Sequence, residues 1–549
     1  MKLSALNRAE VYQKMKQGPL DLLVIGGGIT GAGIALDAAN RGMKVGLIEM
    51  QDFAAGTSSR STKLIHGGLR YLKQFEVKLV AEVGKEREIV YENGPHVTTP
   101  VSMMLPFYKG GSFGPYSASF GLRLYDFLAG VKKEERRQML TKKQALKREP
   151  LLRKQGLKGA GSYVEYKTDD ARLTLEVLKK AGEQQALALN YVKATAFIYS
   201  GATVTGIRAE DQLDGGVHEV YARKIVNATG PWVDSLRERD QSRHGKTLLL
   251  TKGSHLVFDQ QKFPLRQAVY FDAPDGRMVF AIPREGKVYV GTTDTVYNQD
   301  PRFPAVSKED WEYLLAAVVH IFPQVKVKPE DIESSWAGIR PLIREEGKGP
   351  SEISRRDEVF ISASGLISIA GGKLTGYRKM AENIVDLVAE QLRKERKIKF
   401  ARVSTKDLPI SGGEMGGSKN FSSFLEDRVA QGMLLGLDHA TSRRLVQRYG
   451  ANVDQIFRFY GEGKRKPPAL DPLVYAMLQY AINYEAACSP TDFFERRTGA
   501  LYFDIKWVYD HKESVMAHMA AVFNWTHEQA ADHRQELERV LYQANHPLE

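Results

Sequence analysis

The stretch "LLVIGGGITGAGIALDAANRGMKVGLIEM", residues 22–50, decides the fold. An apolar run leads into a GxGxxG pattern at Gly26, Gly28 and Gly31, and a helical pattern and a second apolar run follow. This order predicts a strand, a tight turn, a helix and a strand. The glycines permit the turn, the approach of a pyrophosphate and close packing of helix on strand, and the helix N-terminus attracts anions. The unit therefore predicts a dinucleotide-binding site.

The second apolar run stops at Glu49, 18 residues after Gly31. A carboxylate there suits a ribose hydroxyl pair and repels a 2′-phosphate. The first unit ends near residue 50, strand-rich sequence resumes only after residue 160, and a second glycine-rich turn opens a helix near residue 371. An NAD site is usually completed within one contiguous domain, so this discontinuity favours FAD, with its ADP half on the first unit.

Composition excludes several classes of protein. With 549 residues, 43% of them hydrophobic and 26% charged, the chain is long enough for two to four globular domains. Cys488 is the only cysteine, so neither a disulfide framework nor a cysteine metal site is expected, and no metal is predicted. The sequence shows no signal-peptide core and no apolar run of about 18 residues, so no transmembrane helix is expected.

The net charge of +12 favours an anionic partner. Nucleic acid, anionic lipid and a small anionic substrate each have the required charge. No helix-turn-helix, RNA-binding or zinc-finger pattern is present, and the basic residues are spread along the chain, so no nucleic-acid partner is expected. A merely basic, solvated surface is the alternative.

Four further stretches carry a resemblance to a known family. They are "GTSSRSTKLIHGGLRYL" at 56–72, "VNATGPWVD" at 226–234, "SSWAGIRPL" at 334–342 and "SIAGGKLTGYRKMAE" at 368–382. With the opening glycines, they resemble the FAD-dependent glycerol-3-phosphate dehydrogenases, within the wider family of flavin amine and hydroxyl oxidases. The resemblance covers residues 18–540. It implies oxidation of sn-glycerol 3-phosphate to dihydroxyacetone phosphate by hydride transfer to FAD, with the electrons passed to a membrane quinone.

The predicted fold class is α/β. We expect a discontinuous, Rossmann-like FAD-binding domain of the glutathione-reductase type, an antiparallel-sheet substrate domain and an all-α C-terminal domain. Sequence beyond about residue 400 is helical in pattern, with a linker near 397–411. The expected limits are 18–75, 165–235 and 355–396 for the FAD parts, 76–164 and 236–354 for the substrate parts, and 397–549 for the helical domain.

Oxidising a secondary alcohol requires a group that takes the hydroxyl proton and cations that hold the phosphate. His66 and His255 lie within apolar or glycine-rich strands and are candidate proton acceptors. The resemblance favours His255, with Arg340 and Lys373 as its catalytic partners. The expected substrate-binding residues are Arg70, Tyr71, His255, Arg340, Arg356 and Lys373. The expected cofactor-binding residues are Gly26, Gly28, Gly31, Glu49, Thr57, Ser58, Ser59, His66, Gly230, Gly372, Leu374 and Thr375.

Two other functions stay open at this stage. One is a glycerol-3-phosphate oxidase that uses molecular oxygen, and the other is a non-catalytic flavin scaffold that binds a macromolecular partner. For each histidine the alternative is a core role, and for each arginine it is pairing with a neighbouring acid.

Because a quinone resides in the bilayer, the sequence predicts a cytoplasmic enzyme attached peripherally to the anionic inner face of the cell membrane. The aromatic-rich stretch 113–130 or the basic helix end 389–400 would make the contact. A homodimer is an assembly that the sequence leaves open.

Overall fold

The computed structural model describes residues 2–66, 77–114, 119, 122–124, 136–345, 356–465 and 470–549. These residues form a largely parallel sheet, a largely antiparallel sheet and a helical C-terminal domain, so the predicted fold class is confirmed. The strands are β1 Leu20–Ile25, β2 Val45–Ile48, β3 Leu64–Ile65, β4 Thr98–Tyr108, β5 Gln138–Thr141, β6 Leu157–Thr168, β7 Leu187–Leu189, β8 Val192–Ser200, β9 Thr203–Asp211, β10 Val217–Asn227, β11 Lys246–Asp259, β12 Ala268–Asp272, β13 Met278–Arg284, β14 Lys287–Gly291, β15 Thr295–Val296, β16 Ile332–Glu345, β17 Glu358–Ile361 and β18 Ile367–Ala370.

The helices of the first 400 residues alternate with these strands, whereas those beyond residue 420 follow one another. They are α1 Arg8–Lys16, α2 Ile29–Asn40, α3 Val77–Asn93, α4 Lys142–Arg148, α5 Asp170–Glu183, α6 Val233–Arg239, α7 Lys308–Ile321, α8 Tyr377–Arg396, α9 Phe421–Leu434, α10 His439–Tyr449, α11 Val453–Gly463, α12 Pro472–Tyr484, α13 Ala500–Phe503, α14 Ile505–Phe523 and α15 His527–Asn545. Within the described ranges, no helix is both long enough and apolar enough to cross a membrane.

The parallel sheet has the strand order β17-β18-β10-β1-β2-β7, and β8 and β9 extend it beside β10. Strand β1 pairs in parallel with both β2 and β10, and all of its residues are buried. Helices α2 and α8 pack against each other beside this sheet, through Gly33 against Tyr377 and Ala381. A parallel strand covered on both faces is expected to be apolar, as β1 is apart from Asp21, which pairs with Arg223.

Two glycines of the first unit are required by its geometry. Gly26 has a φ of +116°, and a Cβ there would lie 2.5 Å from the carbonyl oxygen of Ala228. A Cβ on Gly31 would lie 1.9 Å from the Gly26 carbonyl oxygen. The first turn of α2 therefore packs directly on the end of β1, and this packing places the helix N-terminus at the sheet edge.

The antiparallel sheet has the order β15-β11-β14-β13-β12-β4-β6-β3, with β16 paired to β11 and β5 paired to β6. The pairing of β11 with β16 runs from Lys246 opposite Glu345 to Phe258 opposite Ile332. Because the end of β11, from His255 to Asp259, also pairs with β14, this part of the strand lies between two neighbours, and its side chains on one face meet those of both.

The expectation that strands resume only after residue 160 is wrong, because β4 and β5 precede it. Pro100 and Pro106 lie within β4, and prolines argue against a central strand. In the structure β4 lies between β6 and β12, but its pairing with β12 covers only Met103 and Met104, away from both prolines. The missing amide donors therefore interrupt no pairing with β12.

Buried charges join the C-terminal domain to the first unit. Asp52 follows β2 and is 1% exposed, and its two oxygens accept hydrogen bonds from Arg497 at 2.5 and 2.8 Å. The Arg496 Nε donates to the same carboxylate at 2.5 Å. Burial acts to raise the pKa of Asp52, but the two guanidinium groups outweigh it and lower this pKa to about 2.

We expect Asp52→Asn to destabilise the protein by about 3–5 kcal/mol, because it removes the buried carboxylate that pairs with Arg497 and one of the three that pair with Arg496. The matched control is Asp454→Asn, which removes the charge that pairs with Arg428. Because the Asp454 side chain is 50% exposed, this change should lower the free energy of unfolding by only about 0–1 kcal/mol. Urea unfolding followed by tryptophan fluorescence measures both variants. Small and equal decreases in the free energy of unfolding of the two variants would contradict this account of how the C-terminal domain is attached.

Candidate active site

Two cavities meet at the glycine turn. The first, of about 440 Å³, lies beside the end of β2 and is lined by Gly26, Glu49 and Val192; we call it the β2 cavity. The second, of about 420 Å³, lies against β11 and β16 and is lined by His255 and Arg340; we call it the sheet cavity. Residues that line both are Glu49, Ala55, Arg60, Thr229 and Trp232. Together they form an elongated site centred on the N-terminus of α2.

The space above the N-terminus of α2 is open to a ligand. A Cβ on Gly28 would meet only the Ser58 hydroxyl, 3.1 Å away. That hydroxyl accepts a hydrogen bond from the Ile29 amide at 2.9 Å, so the loop that contains Thr57 and Ser58 reaches the helix end. Free amides and the positive end of the helix dipole make this position suitable for a diphosphate.

Glu49 is fixed by the turn that precedes α2. Its Oε2 accepts from the Gly27 amide at 2.7 Å, and its Oε1 accepts from the Gln51 amide at 2.9 Å. Burial raises the pKa of Glu49. A carboxylate held in this way at the end of β2 still has lone pairs for two ribose hydroxyls. The residues of the elongated site therefore fit a dinucleotide such as FAD.

His255 belongs to a row of residues across the antiparallel sheet, in which His255 and Phe280 line the sheet cavity. In this row His255 lies opposite Trp336 on β16 and opposite Gly291 on β14, which is in turn opposite Phe280 on β13. The His255 and Trp336 rings stack with centroids 4.6 Å apart and an interplanar angle of 10°. A Cβ on Gly291 would lie 2.1 Å from His255 Cδ2, so only glycine leaves room for the imidazole.

The His255 imidazole is 1% exposed. Its Nε2 lies 3.0 Å from the Thr62 hydroxyl, and its Nδ1 has no hydrogen-bond partner among the described residues. Burial, with Arg340 and Lys63 nearby, lowers the pKa of His255 well below its ordinary value. The imidazole is therefore neutral at pH 7, the form in which one of its ring nitrogens is a hydrogen-bond acceptor.

Arg340 lies over the same sheet face. A Cβ on Gly253, two residues before His255, would lie 2.4 Å from Arg340 Nη2. Its Nη1 donates to Asp294 Oδ1 at 3.2 Å, and its Nη2 donates to the Thr292 hydroxyl at 2.9 Å. The Arg340 side chain is 30% exposed, so the guanidinium is oriented by the protein and still reachable from the cavity.

The second glycine-rich turn brings Lys373 to the sheet cavity. Lys373 precedes the short 3₁₀ helix Leu374–Gly376, which leads directly into α8. The Thr375 hydroxyl accepts from the His66 amide at 3.2 Å and donates to the His66 carbonyl at 3.3 Å. Burial, together with Lys373, lowers the pKa of His66 to about 3, so this imidazole is also neutral at pH 7.

The structure brings most of the predicted site residues together. The predicted residues that line one or both cavities are Gly26, Gly28, Glu49, Thr57, Ser58, His66, Gly230, His255, Arg340, Gly372, Lys373, Leu374 and Thr375. Gly31 lies below the turn, in the contact between α2 and β1. Ser59 is buried and is absent from the described lining of either cavity.

Three predicted substrate contacts are not placed at the site. Arg356 is exposed, and the described residues that line the sheet cavity do not include it. Its backbone does lie beside the second glycine-rich turn, because a Cβ on Gly371 would be 2.5 Å from the Arg356 carbonyl oxygen. Arg70 and Tyr71 lie outside the described residues.

The sequence reading missed Thr62, Trp336 and Gly291. Thr62 and Trp336 lie within stretches that carry the family resemblance, but their contacts with His255 depend on segments distant in sequence. Gly291 does give one: a glycine after the apolar run of β14 indicates close approach of another group.

Comparison with known proteins agrees with the fold and the site. Residues 21–378 match the family described as "FAD dependent oxidoreductase". Residues 403–530 match the family described as "C-terminal domain of alpha-glycerophosphate oxidase". Sheet topology, glycine turn and family match together define an FAD-dependent oxidoreductase, and the prediction of FAD as the cofactor is confirmed.

Full-length relatives narrow the class. The aerobic glycerol-3-phosphate dehydrogenase of Bacillus subtilis is 57% identical, over 100% of this chain and 99% of that protein. The aerobic glycerol-3-phosphate dehydrogenase of Staphylococcus haemolyticus is 56% identical, over 99% of this chain and 98% of that protein. The chain belongs to this family, the aerobic glycerol-3-phosphate dehydrogenases, as the sequence motifs predicted.

Solved structures agree with the fold. The glycerol-3-phosphate dehydrogenase of Bacillus halodurans complexed with FAD has a TM-score of 0.87 at 49% identity, over 100% of this chain and 99% of that one. The L-alpha-glycerophosphate oxidase of Mycoplasma pneumoniae has a TM-score of 0.56 at 17% identity, over 71% of this chain and 98% of that one, and shows a shared fold alone.

We expect Gly28→Val to purify without its yellow colour, because the side chain would occupy the space above the N-terminus of α2 that the FAD diphosphate needs. The substitution itself is tolerable for the fold, since only the Ser58 hydroxyl lies near a Cβ at this position. Flavin content is read from the visible absorbance per chain. The control is Gly461→Val on α11, where a Cβ meets nothing within 4 Å. A Gly28→Val protein with a full flavin complement would contradict this account of the turn.

Proposed function

We propose that the chain oxidises sn-glycerol 3-phosphate to dihydroxyacetone phosphate. The observation that carries the proposal is the sheet cavity, which joins a neutral buried imidazole, an oriented guanidinium and a lysine to the glycine turn. An alcohol phosphate requires this combination of one proton acceptor and fixed cations. The names of the relatives support the same substrate.

We propose the following roles for the cofactor contacts. Glu49 binds the adenosine ribose, and the turn at Gly26 and Gly28 with the Thr57–Ser58 loop holds the diphosphate. The turn from Gly372 to Thr375 would hold the flavin, and the N-terminus of the helix that follows would favour negative charge there. When bound, FAD supplies the hydride acceptor.

We propose that Arg340 and Lys373 bind the substrate phosphate. The planar guanidinium offers two parallel donors to a phosphate, and Lys373 adds a second positive charge. The Asp294 carboxylate and the Thr292 hydroxyl already hold the Arg340 side chain in one orientation. Less conformational entropy is then lost when substrate binds.

The hydroxyl proton reaches His255 through Thr62 in this proposal. His255 is enclosed by Trp336 and the backbone of Gly291, and Thr62 lines the cavity 3.0 Å from its Nε2. The substrate hydroxyl passes its proton to the Thr62 oxygen while the Thr62 proton moves to Nε2. Thr62 regains its original protonation state, and His255 carries the net proton.

Arg340→Ala should lower kcat/KM for glycerol 3-phosphate by tens- to thousands-fold, because a charged partner of the phosphate typically contributes about 2–5 kcal/mol. The weak rate with free glycerol, which has no phosphate, should stay nearly unchanged. The control is Arg344→Ala on the same strand, where the side chain is exposed. Equal losses with both substrates would indicate that Arg340 has a structural role instead.

His255→Asn should bind FAD and substrate but slow flavin reduction by about 10²–10⁴-fold, the usual contribution of a general base. Thr62→Val should slow the same step, and Thr62→Ser should restore it. Because the pKa of His255 is lowered, the base stays neutral below its ordinary pKa, and the parent rate should not fall with a midpoint near 6.5. Stopped-flow absorbance measures the rates, and an unchanged rate in His255→Asn would exclude this histidine as the base.

We propose that the electrons pass to a membrane quinone at the inner face of the cell membrane. The relatives' name, "aerobic glycerol-3-phosphate dehydrogenase", and the net charge of +12 support this acceptor. Of the two predicted contact segments, 113–130 lies largely outside the described residues. At the end of α8, Arg393 and Lys394 are 60% and 68% exposed and suit an anionic surface.

A second candidate is a glycerol-3-phosphate oxidase. The match of residues 403–530 to the C-terminal domain of alpha-glycerophosphate oxidase favours it. The two functions share the site and differ in how the reduced flavin is reoxidised.

Anionic vesicles that contain quinone should speed reoxidation of the reduced flavin well beyond the rate in air. Binding to these vesicles should weaken at high salt, because surface charges are screened within about 8–10 Å at physiological ionic strength. Arg393→Glu with Lys394→Glu should reduce the vesicle binding. Stoichiometric hydrogen peroxide in air, with no response to the vesicles, would favour the oxidase instead.

A further inference from the structure

The outer wall of the β2 cavity comes from the C-terminal domain. Four residues of α15 line this cavity: Glu536, Arg539, Val540 and Gln543. Their spacing of three, one and three residues places all four on one face of the helix. The opposite wall is the dinucleotide-binding unit, with Glu49 at the end of β2. A ligand beside Glu49 is therefore enclosed between the first unit and the last helix.

Contacts outside the cavity hold α15 in place. The Ser335 hydroxyl on β16 donates to the Ala544 carbonyl at 3.1 Å. Beyond the helix, the Leu548 amide donates to the Val306 carbonyl at 2.8 Å, and the Lys308 amide donates to the Leu548 carbonyl at 3.0 Å. Leu537 and Leu541 of α15 are buried. The helix is thus held by β16 and by the segment that leads into α7.

The chemistry of this face suits a nucleoside. The Arg539 guanidinium lies 4.3 Å from the centroid of the Phe303 ring and donates to Gln543 Oε1 at 3.2 Å. Val540 adds an apolar surface beside them. A planar guanidinium, an amide and an aliphatic side chain offer stacking, hydrogen bonding and apolar contact, which are the interactions that a purine ring and ribose use.

We propose that α15 is part of the FAD site and that Arg539, Val540 and Gln543 bind the adenosine half of the cofactor. The assignment to adenosine follows from Glu49, because the acid at the end of the second strand of such a unit marks the ribose of the ADP half. The C-terminal domain then retains the cofactor as well as covering the protein core. This inference rests on FAD and not on the identity of the substrate.

The test uses the full-length chain, stripped of FAD and titrated separately with FAD and with ADP. Arg539→Ala should weaken binding of both ligands by the same factor, about tenfold, and Gln543→Ala should weaken both by a smaller factor. The matched control is Arg534→Ala on the opposite face of α15, where the arginine is 50% exposed and pairs with Glu513. This control should leave both affinities unchanged.

Flavin fluorescence follows FAD binding, and calorimetry follows ADP binding. Thermal unfolding of each FAD-free variant separates loss of a contact from loss of the fold, and we expect the three variants to unfold at the same temperature as the parent. Unchanged FAD affinity in both Arg539→Ala and Gln543→Ala would overturn the proposal. Weaker binding of FAD with unchanged binding of ADP would overturn the assignment to adenosine. Neither readout involves glycerol 3-phosphate, so failure here is distinct from failure of the proposed reaction.

Discussion

The close packing of α2 on β1 is the constraint on which the site depends. Because a Cβ on Gly31 would lie 1.9 Å from the Gly26 carbonyl, the helix can approach the strand only if this position is glycine. That approach places the N-terminus of α2 at the sheet edge, where the Ser58 loop, Glu49 and both cavities meet it. The anion-binding end of the helix, the ribose acid and the substrate cavity are thereby aligned by one contact.

Buried ion pairs connect the C-terminal domain to the end of β2 and to the Ser-rich loop. Asp52, three residues after Glu49, binds Arg496 and Arg497, and Arg60 of the Ser-rich loop pairs with Glu495 at 3.2 Å. Such pairs are costly to break from one side, because the remaining charge stays buried. The segment that contains these three C-terminal residues therefore fixes both the end of β2 and the loop beside the cofactor cavity. The wall provided by α15 adds a third contact between this domain and the cofactor region.

The sequence predicts best those features that depend on interactions between residues close together in the chain. The first unit is specified locally, so the strand, tight turn, helix and strand that residues 22–50 predict are all present, as β1, α2 and β2. The sequence does not predict strand β4, because two prolines within a segment argue against a central strand. Pairing with β6 along almost the whole length of β4 decides where this strand lies, and β6 is about 60 residues away in the sequence.

The site residues also divide into those that local motifs predict and those that only the tertiary structure brings to the site. His255, Arg340 and Lys373 were found through the resemblance of their motifs, and the structure places all three around one cavity. Thr62 and Trp336 lie within stretches that carry the resemblance, but they contact His255 only through tertiary structure, so their place beside this imidazole could not be predicted. The α15 face was missed for the same reason, since it meets the β2 cavity more than 480 residues after Glu49.

One measurement tests the proposed reaction without any acceptor. The purified protein is placed under anaerobic conditions, and its visible flavin spectrum is recorded before and after addition of glycerol 3-phosphate, with free glycerol as the comparison. The proposal predicts that glycerol 3-phosphate bleaches the flavin band rapidly while glycerol at the same concentration has little effect. A flavin that dithionite bleaches but glycerol 3-phosphate leaves oxidised would contradict it.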